Sequence, residues 1–181
     1  MQDEIRRPAA VILGILEEPP HGVIFVERAA HLRSHAGQIG LPGGGMDEGD
    51  AGDLRATALR EMHEEVGVHA ERVTMLATLP EIRARVNRYA VTPFVATVAP
   101  GELRIDASET VGLFTVPLAT LLAEVREGTV SFGALEIDST ILDYGDRRIW
   151  GLTGRILRDF VDAWSDPGDA LRDLVEARLR R

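Results

Sequence analysis

The run Arg60-Glu61-Met62-His63-Glu64-Glu65-Val66-Gly67-Val68 sets three carboxylates close together in a segment of helical character. Each residue of an α-helix advances by about 100°, so positions i, i+3 and i+4 share a face. Glu61, Glu64 and Glu65 then occupy one arc, while Leu59, Met62 and Val66 turn to the other side, where a core can receive them. Like charges at this spacing repel and destabilise an isolated helix. A divalent cation compensates that repulsion, because hard ions such as Mg²⁺ take oxygen ligands and bridge carboxylates to substrate phosphates. Three glutamates alone are more often the solvated face of an acidic helix.

The segment before the helix shifts that weighting. Leu41-Pro42-Gly43-Gly44-Gly45-Met46-Asp47 puts three glycines behind a proline. Glycine permits positive φ and lets the backbone come close to a ligand. A glycine turn leading into an acid-faced helix is a rarer combination than either feature by itself.

Both features need a scaffold. The chain has 181 residues, 45% of them hydrophobic, with mean hydropathy −0.02, which predicts one globular domain over residues 1–181. No apolar run approaches the roughly 18 residues of a membrane helix. The opening MQDEIRRPAAVILGILEE has a short apolar run but no small-residue cleavage site after a long one, so it does not read as a signal peptide. Cysteine is absent, which excludes disulfides, thiolate catalysis and cysteine–zinc sites; the expected compartment is the cytoplasm. A net charge of −9 disfavours broad nucleic-acid binding. An anionic small molecule can still bind where a metal and nearby arginines reverse the local field. All 20 basic residues are arginine, so no lysine can serve as nucleophile or phosphate ligand.

Along the chain, residues 9–16 read as a buried strand, Pro19-Pro20-His21-Gly22 as a turn and Val23–Glu27 as the hairpin partner. Residues 29–50 read mostly as loop, with a short strand at Gln38–Leu41. A strong helix covers 54–66, with Gly67 placed to end it. Strands are predicted at Val73–Thr78, Tyr89–Val98 and Leu113–Val116, a helix at Pro117–Glu127 and an ill-defined β region at 129–143. Two helices, Gly151–Trp164 and Gly168–Arg180, close the chain, the last with Leu171, Leu174, Val175 and Leu179 as its apolar stripe. The expected class is α/β or α+β, a mixed sheet with helices.

Residues 60–68 resemble the second half of the Nudix box, whose pattern is glycine, five residues, glutamate, seven residues, then Arg-Glu-apolar-x-Glu-Glu-x-Gly-apolar. Every fixed position of that second half is matched. Gly44 followed by five residues reaches Asp50, an aspartate where the pattern has glutamate. Nine residues separate Asp50 from Arg60, two more than the pattern, which leaves the partner of Arg60 open between Asp50 and Asp53. The resemblance implies a Nudix-type mixed β-sheet sandwiched between helices, with the box at about 44–68 and C-terminal helices at about 151–180. It implies attack of a metal-activated water on a diphosphate phosphorus. It also implies Mg²⁺ or Mn²⁺ held by Glu61 and Glu65, with Glu64 and a backbone carbonyl near Gly44 as further ligands, and Arg60 orienting the acids.

Upstream, Arg28, Ala29, Arg33, Gly37, Pro42, Gly43 and Gly44 fall at the spacing of a second signature, that of the coenzyme A pyrophosphatase branch of the family. Ile24, Phe25, Val26 and Leu41 replace two leucines, a threonine and a phenylalanine of that signature. The segments 35–39, 91–95, 116–118 and 150–153 are also similar to that branch, so the resemblance runs from about residue 10 to 162. Its implied substrate-binding residues are Arg28, Arg33 and Gly43. Arginine binds phosphate in a two-point manner, but either arginine could instead pair with the chain's own carboxylates. His31 and His35 read as surface residues. The candidates for general base are Glu64, Glu81 and Glu109; related sequences often carry a second acid three residues after the last of these, where this chain has Gly112.

Coenzyme A or its thioesters are thus the expected substrates, giving 3′,5′-ADP and (acyl-)4′-phosphopantetheine. The alternatives are a Nudix hydrolase of another diphosphate, such as ADP-ribose or a nucleoside triphosphate, and a noncatalytic Nudix ligand-binding module. Retention of Glu61, Glu64 and Glu65 weighs against the module. The expected partner is the small-molecule substrate, with no nucleic acid and no membrane; a homodimer is the assembly left open.

Overall fold

The computed structural model describes residues 6–28, 38–84, 88–105, 110–133 and 135–181. Its spine is β1 (Arg7–Leu16), which is buried on both faces over most of its length. A strand of that kind belongs in the middle of a sheet with both faces covered. It runs parallel to β7 (Tyr89–Val98) from Arg7↔Tyr89 to Leu16↔Val98. On its other side it pairs antiparallel with β4 (Gly43–Gly45) through Ala9–Val11. β2 (Gly22–Arg28) meets β1 at Ile15↔Val23 and lies mainly along β8 (Thr110–Pro117). The expected hairpin of residues 9–16 and 23–27 is therefore paired near its turn, and the long-range partner β7 takes the rest of β1. β3 (Ile39–Gly40) adds to β2, and β5 (Val73–Thr78) and β6 (Ile82–Arg83) add to β7.

One face of the sheet carries α1 (Leu54–Val66). Its Ala58, Met62 and Val66 close over Ala10, Ile12, Ile24, Val26 and Phe94. Met62 is fully buried, and truncating such a side chain to alanine costs about 2–5 kcal/mol. The opposite face carries α2 (Leu118–Glu124), α3 (Gly151–Ser165), α4 (Leu171–Leu179) and a small sheet of β9 (Arg126–Phe132), β10 (Leu135–Tyr144) and β11 (Arg147–Ile149). Leu13, Ile15, Phe25 and Val95 meet Leu142, Ile156, Leu157 and Phe160 there. A mixed sheet between helices is the expected fold class. No helix among the described residues is long and apolar enough to cross a membrane.

Three local expectations change. The helix predicted over 117–127 stops at Glu124, because Val125 turns extended and Arg126 and Glu127 pair with Ile141 and Thr140. The helix predicted over 168–180 begins at Leu171, whose N–H donates to Asp169 Oδ1 at 2.8 Å, and Leu174 in its stripe is exposed while Leu171 and Val175 are buried. The glycine triplet is a strand, not a turn.

Candidate active site

β4 and α1 face each other, and the glycines set their spacing. A Cβ at Gly43 would overlap the Ala10 carbonyl and lie 2.6 Å from Val11 Cα, so only glycine lets β4 pair this closely with β1. A Cβ at Gly44 would overlap the carboxylate of Glu61. The glycine strand is thereby flush with the acid arc of the helix.

Between β4 and α1 lies the extended part of the loop. Its two additional residues are absorbed by a 3₁₀ turn at Glu48–Asp50 and left-handed backbone at Ala51 and Gly52, before Asp53 caps α1. Asp47 accepts from the N–H groups of Gly49 and Asp50, while the Asp50 carboxylate accepts from the Asp47 N–H. This reciprocal cap fixes the turn and aims Asp50 inward. Asp50 also accepts from the Thr57 hydroxyl at 2.8 Å.

Arg60 answers Asp50 with two parallel bonds, Nε to Oδ1 and Nη2 to Oδ2, each 3.0 Å. Asp50 is therefore the partner that the sequence left open, and Asp53 is the helix cap. The Arg60 guanidinium holds the buried Asp50 carboxyl well below the usual carboxylate range, against the upward push of burial, and Asp50 in turn raises the pKa of Arg60. Arg60 Nη2 also donates to the Gly45 carbonyl at 3.0 Å. Its Nη1 reaches Glu61 Oε1 at 2.8 Å and Glu64 Oε2 at 2.9 Å.

Glu65 is held differently. It is 4% exposed. Its Oε2 accepts from the Gly43 N–H at 2.9 Å, and its Oε1 from Arg28 Nη1 at 3.3 Å. Arg28 ends β2 at a bulge, where the register against β8 shifts between Glu27 and Arg28. Bulges re-aim side chains in this way. Arg28, Gly43, Gly44, Arg60, Glu61, Glu64 and Glu65 thus meet where α1 packs against β4 and the end of β2. Glu81 lies just before β6, its carboxylate 3.9 Å from Arg83 Nε. Arg33 and Glu109, like His31 and His35, lie outside the described residues. Sequence reasoning missed Asp47, Thr57 and the Gly45 carbonyl. The Asp47-x-x-Asp50 spacing is a capping signature that could have found the first.

The donor set suits a divalent ion in kind and in charge. Asp47, Asp50, Glu61 and Glu64 all lie within 3.4 Å of one guanidinium, leaving a negative excess of hard oxygen donors. Among the described residues, however, no three acids are placed to share one metal ion; Glu61 and Glu64 are turned toward Arg60 instead.

Comparison with known proteins defines the class. A family model described as the NUDIX domain matches residues 5–132. The chain is 35% identical over 160 residues to a protein named Uncharacterized Nudix hydrolase NudL from Enterobacter sp. (strain 638), spanning 86% of this chain and 82% of that one. A protein of the same name from Salmonella paratyphi B is 34% identical over 159 residues, with 86% and 82% covered. Among solved structures, a MutT/nudix family protein from Enterococcus faecalis has a TM-score of 0.57 at 18% identity, covering 99% of this chain and 76% of that one. The NUDIX domain of Shewanella oneidensis NrtR, solved with ADP ribose, has a TM-score of 0.52 at 22% identity, covering 66% and 78%. At these identities the structural likenesses speak for the fold. The chain belongs to the Nudix hydrolase family. Divalent-metal-dependent pyrophosphohydrolysis of a small molecule is its class of activity.

Proposed function

We propose that the chain hydrolyses the diphosphate of coenzyme A or its acyl derivatives, so that water adds across the P–O–P bridge and 3′,5′-ADP and (acyl-)4′-phosphopantetheine leave. The observation that carries this reading is the spacing of Arg28, Ala29, Arg33, Gly37, Pro42, Gly43 and Gly44. Two residues of that signature, Arg28 and Gly43, both hold the Glu65 carboxylate, which ties the signature to the acids of the box helix.

In this reading Glu61, Glu64 and Glu65, with the Gly44 carbonyl, hold Mg²⁺ or Mn²⁺. Such an ion supplies an activated water and neutralises charge on the phosphoryl oxygens. Arg60 is the counter-charge of Glu61 and Glu64, while the Gly43 N–H fixes Glu65. Arg28 and Arg33 contact substrate phosphates, and the general base comes from Glu64, Glu81 or Glu109.

The test is a substrate panel of coenzyme A, acetyl-coenzyme A, ADP-ribose and a nucleoside triphosphate, each with Mg²⁺, with Mn²⁺ and in excess EDTA, with products identified by mass. Coenzyme A substrates should give the highest kcat/KM, and chelation should abolish turnover. Preference for ADP-ribose or a triphosphate would overturn the substrate. Full activity in EDTA would overturn the metal.

A further inference from the structure

We infer that Arg60 is an internal stand-in cation: one edge of its guanidinium neutralises Glu61 and Glu64 until a divalent ion takes them over, while the other edge stays moored. The inference rests on reading the acid arc as a divalent-ion site.

Arginine has five N–H donors in a rigid fork, and contacts account for the whole fork. Nε and Nη2 serve Asp50, Nη2 also serves the Gly45 carbonyl, and Nη1 serves Glu61 and Glu64. The two edges differ in their surroundings. The Asp50 side chain is 3% exposed and is further held by Thr57 and the Asp47 N–H, so the mooring is dry and strong. Glu61 and Glu64 are 16% and 54% exposed, so the Nη1 edge is wetter. The Glu64 pair is of the exposed kind, which contributes about 0–1 kcal/mol and yields to water at little cost, while the part-buried Glu61 pair yields to an ion that replaces its counter-charge. Asp50 and Gly45 alone suffice to keep the guanidinium in place when Nη1 gives up its acids.

The charge count points the same way. One guanidinium among four carboxylates relieves part of their repulsion, and a dication relieves more. A purely organising arginine would hold the acids in an arrangement ready for an ion. Among the described residues no three acids are so arranged, and Glu61 and Glu64 converge on Nη1 instead. Removing the positive charge should therefore strengthen ion binding. An organising role predicts the reverse.

The experiment measures Mn²⁺ binding to the full chain by electron paramagnetic resonance, without substrate, for wild type, Arg60→Gln and Asp50→Asn/Arg60→Gln. The double variant leaves no buried charge unpaired and decides the matter if the single variant fails to fold, as judged by circular dichroism. Both should bind Mn²⁺ about tenfold more tightly than wild type, the effect of about 1.4 kcal/mol of removed competition. Mn²⁺ should also raise their Tm by more than it raises that of wild type. Unchanged or weaker binding in a folded variant overturns the stand-in role and leaves the metal reading intact. Absence of Mn²⁺ binding to wild type overturns the metal reading itself, and the inference with it.

Discussion

Asp50 and Arg60 are joined at two points, Nε to Oδ1 and Nη2 to Oδ2, with both distances 3.0 Å. Asp50 is buried and reaches Arg60 from a 3₁₀ turn that also binds it to Asp47. The pair fastens the loop to the acid helix, so it governs both stability and the aim of Arg60.

Asp50→Asn keeps the shape and removes the charge. Breaking a buried pair from one side costs about 3–5 kcal/mol, and the lower end applies because the Arg60 side chain is 25% exposed. The pH dependence has a definite sign. Arg60 depresses the folded-state pKa of Asp50, so this contribution is complete above the unfolded value of about 3.9 and is lost as pH falls toward the folded value. The stability gap between wild type and variant should be flat near neutral pH. Below about pH 4 it should narrow, by up to about 1.4 kcal/mol per pH unit. Urea unfolding of both proteins across that range measures it. A gap that persists unchanged at the acid end would mean that Asp50 is not ion-paired in the folded state.

How much of this could be read from the sequence depends on the element. α1 was legible to its last residue, because a 3.6-residue apolar period and Gly67 act locally. β4 was not, since three glycines have no side-chain alternation to betray a strand; its pairing with Ala9–Val11 comes from β1. The parallel pairing of β1 with β7 joins segments some eighty residues apart and leaves no local trace. β6 and β11 have two and three residues, too few for a period. At the site, residue identities and the acid arc were plain. The partner of Arg60 was not, because the lengthened loop could deliver either Asp50 or Asp53 until the 3₁₀ turn fixed the choice. The inward turn of Glu65 was equally hidden. The 100° spacing puts it on the arc with Glu61 and Glu64, and Gly43 and Arg28, brought up by distant strands, close on its carboxylate.

Glu65→Gln should separate catalysis from folding. The amide oxygen can still accept from the Gly43 N–H, so the packing of β4 on α1 survives. The charge facing Arg28, and in the proposed function the charge on the ion, is gone. Loss of one preorganised electrostatic contact lowers kcat by about a hundredfold to a thousandfold. Stability should change by no more than about 1.5–3 kcal/mol, the scale of one hydrogen bond to a charged group. Paired kcat and Tm measurements decide. A collapsed Tm with normal specific activity in the folded fraction would make Glu65 a structural residue.

The two signature arginines should differ in the phosphate each one serves. Arg28 donates to Glu65 at 3.3 Å, which places it at the acids rather than at a remote group of the substrate. Its contribution should therefore fall on the scissile diphosphate, which coenzyme A and 3′-dephospho-coenzyme A share. Arg28→Ala should lower kcat/KM for both substrates by the same factor. Arg33 is then the signature residue left for the 3′-phosphate, and Arg33→Ala should penalise coenzyme A selectively. A charge-assisted hydrogen bond contributes about 1.5–3 kcal/mol, so the selective loss should be about tenfold to a hundredfold. The measurement is kcat/KM for both substrates with wild type and the two variants. A selective loss in Arg28→Ala would show that this arginine leaves Glu65 for the 3′-phosphate. Equal losses on both substrates in Arg33→Ala would remove the 3′-phosphate role from that residue and leave the acidic arc, not the signature, as the seat of substrate choice.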